Sequence, residues 1–186
     1  LGQKSHKKTR ILNADVPISQ PNLTKEQHNV IDAILTSNQK MHLLHGETGT
    51  GKTRVYIELI TYSLKQHKNI LLLTPEIGLT SQLTNSIETV FPGRVTTLHS
   101  GLTPAQRRNR WQEISKQPEP QIVIGPRSAL FAPLKNLGFI ILDEAHDGAY
   151  KQEQAPYYLA TRVAAKLGEL HGAKVILGTA TPLISD

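Results

Sequence analysis

A three-layer α/β sandwich with a mostly parallel central sheet is predicted for this chain of 186 residues by three observations. Short runs at 41–45, 70–73, 95–98, 122–124, 139–142 and 175–177 are mostly apolar, the mark of strands buried on both faces. Amphipathic stretches of helical period lie between them, at about 52–66, 78–91, 103–116 and 156–171. A glycine-rich turn at 46–51 joins the first run to the first of these helices. Strands alternating with helices build a parallel sheet covered on both sides. Ligands of such sheets gather beyond the carboxyl ends of the strands, and here every polar motif follows a strand.

The elements follow in order. Residues 1–21 form a basic leader without hydrophobic pattern, expected to be a flexible linker ahead of one domain spanning 22–186. Thr24 and Gln27 have the Thr-x-x-Gln spacing of a capping box and precede Val30, Ile31, Ala33, Ile34 and Leu35, so a helix starts there. Strand 41–45 runs into Gly46, Glu47, Thr48, Gly49, Thr50, Gly51, Lys52 and Thr53, which open the helix of 52–66. Thr103 and Pro104 supply a cap and a first-turn proline for the helix of 103–116. Strand 139–142 ends in Asp143, Glu144, Ala145 and His146, about ninety residues after the glycine-rich turn.

These two motifs predict a P-loop nucleoside triphosphatase site. The glycines let backbone N–H groups wrap an anion, Lys52 supplies a positive charge for the outer phosphates, and the Thr53 hydroxyl suits a magnesium ion. Strand-borne acids are what such a magnesium needs, so Thr53 and Asp143 are the expected metal residues. Lys52, Asp143 and Glu144 are the expected catalytic set, with Glu144 orienting and deprotonating the attacking water. ATP with Mg2+ is the expected cofactor pair, held by Gly46, Glu47, Thr48, Gly49, Thr50, Gly51, Lys52 and Thr53.

Composition narrows the class. A hydrophobic content of 38% is that of a soluble globular domain. No apolar run approaches the roughly twenty residues of a membrane span, and the first residues carry no signal-peptide core, so a cytoplasmic protein without membrane contact is expected. With no cysteine, disulfides and thiolate zinc sites are excluded within these residues. The net charge of +6 is concentrated in residues 1–10, which hold four basic groups and no acid; seventeen basic groups face fifteen acids elsewhere. Leu1 in place of methionine suggests a piece of a longer protein.

Further polar turns recur on the same rim. Thr74, Pro75, Glu76 and Gly78 follow the second strand, His99, Ser100 and Gly101 the third, and Arg127 and Ser128 the fourth. Three such turns can track one nucleic-acid strand by its phosphates without reading bases. His42 and His45 have no carboxylate or cysteine partner nearby and are poor zinc ligands. Trp111, with Arg107, Arg108 and Arg110, is expected on an amphipathic surface helix with the indole buried; Tyr157 and Tyr158 are expected to pack as the next helix starts.

Together the glycine-rich loop, segment 74–80, His99 to Leu102, the run 122–134, the Asp-Glu-Ala-His box, Tyr150 to Gln152 and Gly178 to Pro182 closely resemble the primosomal replication-restart DNA helicases, over about residues 23–184. The resemblance implies the first RecA-like motor lobe of a superfamily-two helicase with 3′-to-5′ polarity. It implies single-stranded and forked DNA as partners, with primosome and single-strand-binding proteins, and a second helicase lobe that supplies an arginine to the γ-phosphate. The family's zinc-binding cysteines, amino-terminal DNA-binding domain and second lobe are expected elsewhere in a parent protein. Gln27, with Thr24 beside it, is implied as an adenine contact as well as a cap. His146, Tyr150, Lys151, Thr179 and Thr181 are implied as DNA-binding or coupling residues, Tyr150 by stacking on a base in an aromatic-rich loop. Two positions depart from the family pattern: Ala145 stands where a second glutamate is usual, and Arg54 where an acid is common. RNA helicases of the Asp-Glu-Ala-His group share the loop and the acid box, but usually read Thr-Gln-Pro-Arg-Arg in place of Thr74 to Ile77. A non-motor nucleotide-binding module that recruits other proteins is the alternative from a different class. A signalling GTPase is disfavoured, since no Asn-Lys-x-Asp segment occurs.

Overall fold

A computed structural model describes residues 22–47, 49–75 and 82–181. The leader, Thr48, Glu76 and Gly78 of the expected site, and the first residues of the helix expected at 78–91 lie outside these described residues. Helices α1 (Lys25–Thr36), α2 (Lys52–Lys65), α3 (Gln82–Val90), α4 (Pro104–Lys116) and α5 (Ala160–His171) alternate with strands β1 (Met41–His45), β2 (Asn69–Leu73), β3 (Val95–Thr97), β4 (Ile122–Gly125), β5 (Leu137–Leu142) and β8 (Lys174–Thr179). These six strands form one sheet in the order β1-β8-β5-β2-β4-β3, with every neighbouring pair parallel. The fold is the RecA-like three-layer sandwich that the alternation predicts.

Alternation along the strands divides the core. Ile70 and Leu72 of β2 face one side with Val55, Tyr56, Leu59 and Ile60 of α2, and with residues of α1 and α3. Leu71 and Leu73 face the other, with Ile114 of α4 and Ala160 and Ala164 of α5. Helix α5 approaches closely because its buried face is Ala160, Ala164 and Gly168, where a Cβ on Gly168 would stand 2.9 Å from Val175 Cγ2. Among the described residues no helix is long and apolar enough to cross a membrane.

The structure differs from the sequence expectations at three points. The helix expected from 156 starts only at Ala160, because β7 (Tyr158–Leu159) pairs antiparallel with β6 (Lys151–Gln152) and holds the chain extended first. Tyr157 is therefore exposed rather than packed, and Tyr158 meets Phe131 edge to face at 5.4 Å. Helix α4 buries only Ile114, so the indole of Trp111 is 37% exposed and not a core group.

Helix α1 is fixed at both ends. Thr24 Oγ1 accepts from the Gln27 N–H at 3.2 Å and Gln27 Oε1 accepts from the Thr24 N–H at 3.0 Å, completing the capping box. At the other end the Lys174 ammonium, reaching over from β8, donates to the carbonyls of Ile34, Leu35 and Ser37 at 2.5, 2.9 and 2.9 Å. Burial and the neighbouring Lys40 pull the Lys174 amine below its ordinary value. A cation over helix carbonyls satisfies otherwise orphaned acceptors and complements the helix dipole. Lys174→Met is expected to destabilise the fold by about 1–2 kcal/mol, read as a lower urea midpoint at unchanged slope.

Candidate nucleotide site

The site grows from the carboxyl ends of β1, β8 and β5. At the end of β1 the Gly46 N–H donates to the Thr179 carbonyl at 3.0 Å, carrying the β1–β8 pairing one residue past the strand. The chain then turns through Gly49 and Gly51 at φ +86° and +87°, a left-handed conformation that side chains disfavour. Gly51 is the N-cap of α2 and makes no side-chain cap, which leaves N–H groups of the first turn for an anion. Lys52 lies back over the loop, its Nζ donating to the carbonyls of Gly46 at 2.7 Å and Glu47 at 3.4 Å. Thr53 lines a cleft of about 490 Å3 with Gly51, Arg54, Ile57 and residues of α3. The Arg54 side chain runs along α2 to Glu58, Nη1 to Oε1 2.5 Å.

Gln27 reaches this loop while capping α1. Its Nε2 donates to the Gly51 carbonyl at 3.4 Å, and a Cβ on Gly51 would collide with it. Its carboxamide thus serves the cap through oxygen and the loop through nitrogen.

The acid box leaves β5 beside β2 and β8. The Asp143 N–H donates to the Leu73 carbonyl at 2.9 Å, and Asp143 Oδ1 accepts from the Tyr56 hydroxyl at 2.9 Å. Burial pushes the Asp143 carboxyl above its usual value; the Tyr56 hydrogen bond opposes this, the Glu144 charge adds to it and Lys52 counters it. Glu144 adopts φ +47°, a left-handed conformation costing a non-glycine residue on the order of 1–2 kcal/mol. Hydrogen bonds of Ala145 N–H to the Gly178 carbonyl, 2.7 Å, and of Asp147 N–H to the Glu144 carbonyl, 2.8 Å, hold the turn. Ala145, one of the two departures, thus joins the box to β8 through its backbone.

That turn aims Glu144 into a polar chain. Its Oε1 is 3.6 Å from Lys52 Nζ and its Oε2 is 3.6 Å from His146 Nδ1. His146 Nδ1 lies 2.8 Å from Thr179 Oγ1, which also accepts the Thr181 N–H at 3.1 Å. Lys52, Glu144, His146, Thr179 and Thr181, distant in sequence, are brought together. Among the described residues no three His, Cys, Asp or Glu side chains cluster as a metal site. His42 and His45 instead meet the carbonyls of Gln39 and Ala180, at 3.1 and 3.2 Å.

The remaining rim residues sort differently. Thr74 is buried, Pro75 and His99 are half-buried, and Ser100, Gly101, Ser128 and Lys151 are exposed. Arg127 is half-buried and most of its guanidinium is engaged inside the fold: Nε donates to Gln152 Oε1 at 2.9 Å and Nη1 to the Ala149 carbonyl. It braces the loop after the acid box instead of presenting a free cation to a phosphate. Base stacking by Tyr150 is also corrected, since the residue is 4% exposed and a stacking ring needs an open face. Tyr150 packs with Leu71, Leu73 and Leu142, and its hydroxyl donates to the Asp143 carbonyl at 2.6 Å with the Leu73 carbonyl at 3.0 Å. Tyr56 was not among the residues expected from sequence; its only signal was a hydroxyl-bearing side chain one turn after Lys52 on the apolar face of α2.

The family model described as DEAD/DEAH box helicase matches residues 24–185. The chain belongs to that family. It is 43% identical over 168 residues to the replication restart protein PriA of Bacillus subtilis, covering 88% of this chain and 21% of that protein. To the PriA of Chlamydia pneumoniae it is 45% identical over 175 residues, covering 91% of this chain and 23% of that one. The resemblance to replication-restart helicases, within a single helicase lobe, is borne out; the chain spans about a fifth of the length of these relatives. Among solved structures it is similar in fold to RecG bound to a three-way DNA junction, with a TM-score of 0.63 at 21% identity, covering 87% of this chain and 21% of that one.

Removing only the Tyr150 hydroxyl deprives the Asp143 carbonyl of a buried donor. Tyr150→Phe is therefore expected to cost about 1–2 kcal/mol of stability, measured by chemical unfolding; an unchanged midpoint would mean that the hydroxyl is idle.

Proposed function

We propose that this chain is the ATP-binding motor lobe of a 3′-to-5′ DNA helicase that acts in replication restart. The observation that carries the reading is the convergence of Lys52 and Glu144, 3.6 Å apart, from the ends of β1 and β5 beside the glycine N-cap of α2. A nucleotide seated on that N-cap has loop amides and Lys52 for its phosphates, and Thr24 and Gln27 at the edge of the loop for its base.

Oxygen donors suit magnesium, and this cation is usually held by one or two protein groups plus phosphates, which a hydroxyl and a carboxylate supply. Thr53 and Asp143 would hold it, directly or through water. When bound, magnesium neutralises charge developing on the phosphates. Glu144, poised between Lys52 and His146, orients the attacking water and takes its proton. The γ-phosphate also needs a cation from its far side, expected from an arginine of a second lobe.

The DNA side of the reading is supported by sheet order. Strands β2, β4 and β3 are neighbours, so Thr74, Pro75, Ser128, His99, Ser100 and Gly101 lie along one half of the rim, next to the nucleotide half. Hydroxyls and backbone N–H groups there suit contacts to phosphates rather than to bases. Single-stranded and forked DNA are the proposed substrates, primosome and single-strand-binding proteins the proposed partners. Thr179 and Thr181, joined to Glu144 through His146, link nucleotide state to DNA grip, and Lys151, exposed after the acid box, is a further contact for DNA.

In the full-length protein Lys52→Ala is expected to lose both nucleotide binding and turnover. Glu144→Gln should keep binding and lose turnover by about 10²–10⁴-fold, measured as steady-state ATP hydrolysis with and without DNA. The 186-residue chain by itself is expected to bind ATP or ADP weakly and to hydrolyse slowly; fast DNA-dependent turnover by it would overturn the need for a second lobe.

A further inference from the structure

Tyr56 has no part in the chemistry assigned so far, although it reaches the centre of the site. It is 0% exposed, one helical turn after Lys52, with its ring in the core between α2 and the sheet. Its hydroxyl passes under β8 at Gly178, where any Cβ would overlap the phenol oxygen and stand 3.0 Å from Cζ. The path ends at Asp143 Oδ1, 2.9 Å away. Burial and the Asp143 charge push the Tyr56 phenol far above its usual range, so the hydroxyl stays protonated and donates. One directional donor on one carboxylate oxygen fixes the rotation of the group about its Cβ–Cγ bond, and with it the direction of the second oxygen. A phenylalanine would fill the same space in the core without that control.

We infer that Tyr56 is a positioning residue for the magnesium–nucleotide complex, its hydroxyl orienting the Asp143 carboxylate and Gly178 providing the passage. The inference rests on the reading of Asp143 as a metal residue. Partners that orient a metal-binding side chain typically change metal affinity by about 10–100-fold when removed. Tyr56 would thus set how much magnesium is needed for tight nucleotide binding, while leaving the metal-free affinity to the loop.

The test is a titration of the full chain with a fluorescent ADP analogue, in EDTA and at rising Mg2+. Tyr56→Phe is expected to bind the analogue in EDTA as the wild type does and to need about tenfold more Mg2+ for half-maximal tightening. Asp143→Asn is expected to abolish the magnesium-dependent tightening. A normal magnesium requirement in Tyr56→Phe, with the Asp143→Asn response lost, would reduce Tyr56 to a packing group and overturn the inference alone. A normal response in Asp143→Asn would remove the metal role of Asp143 and the inference with it. Should Tyr56→Phe fail to fold, Tyr56→Met, a flexible apolar side chain without a hydroxyl, takes its place. The same rise in magnesium requirement is expected there, and a normal requirement in a folded methionine variant would equally overturn the inference.

Discussion

Parallel register between β1, β8 and β5 is the constraint from which the candidate nucleotide site follows. His45 pairs with Thr179, and Leu142 with Leu177, so the loop and the acid box leave the sheet side by side. Two hydrogen bonds beyond the strands, Gly46 to Thr179 at 3.0 Å and Ala145 to Gly178 at 2.7 Å, carry the pairing into both motifs. A strand rises about 3.3 Å per residue, so a slip of two positions would double the 3.6 Å between Lys52 and Glu144 or more. The near-continuous apolar character of these strands resists such a slip, since both sheet faces are buried and any shift moves side chains into filled space.

The same sheet order divides the rim into two halves that meet at β5 and β2. Nucleotide-loop and acid-box residues occupy the β1-β8-β5 half, and the polar turns after β2, β4 and β3 occupy the other. At the boundary the Leu73 carbonyl takes the Asp143 N–H at 2.9 Å, and the Tyr150 hydroxyl reaches both that carbonyl and the Asp143 carbonyl. Arg127, from the turn after β4, clamps the residues on either side of Tyr150 through Ala149 and Gln152. The seam between the halves is therefore bridged by hydrogen bonds of the buried Tyr150 and the half-buried Arg127.

Much of this was legible in the residues. Six apolar runs became six parallel strands because burial on both faces leaves a strong local signature. The capping box of Thr24 and Gln27 and the cap of Thr103 formed as their spacing predicts. The convergence of Lys52 with the acid box was readable because both motifs follow strands. What escaped was decided by tertiary contact. Tyr150 sits in a polar stretch of sequence, yet it is buried by the neighbouring ends of β2 and β5, which no local pattern reveals. Arg127 looked like a free cation because Ala149 and Gln152 lie more than twenty residues away in the chain. Tyr56 gave no sequence signal of its role, since its hydroxyl partner Asp143 follows a strand far along the chain. The Trp111 indole was expected to be the buried group of an amphipathic α4, although α4 buries only Ile114.

The double anchoring of α1 has a mechanical consequence. Its first turn is tied to the nucleotide loop through Gln27 and Gly51, and its last turn to β8 through Lys174. The helix therefore has no free pivot: it cannot tilt without dragging Gly51 at one end or straining β8 at the other. A load on Gln27 would therefore be shared between the loop and β8, the strand that carries Thr179, rather than borne by one isolated helix.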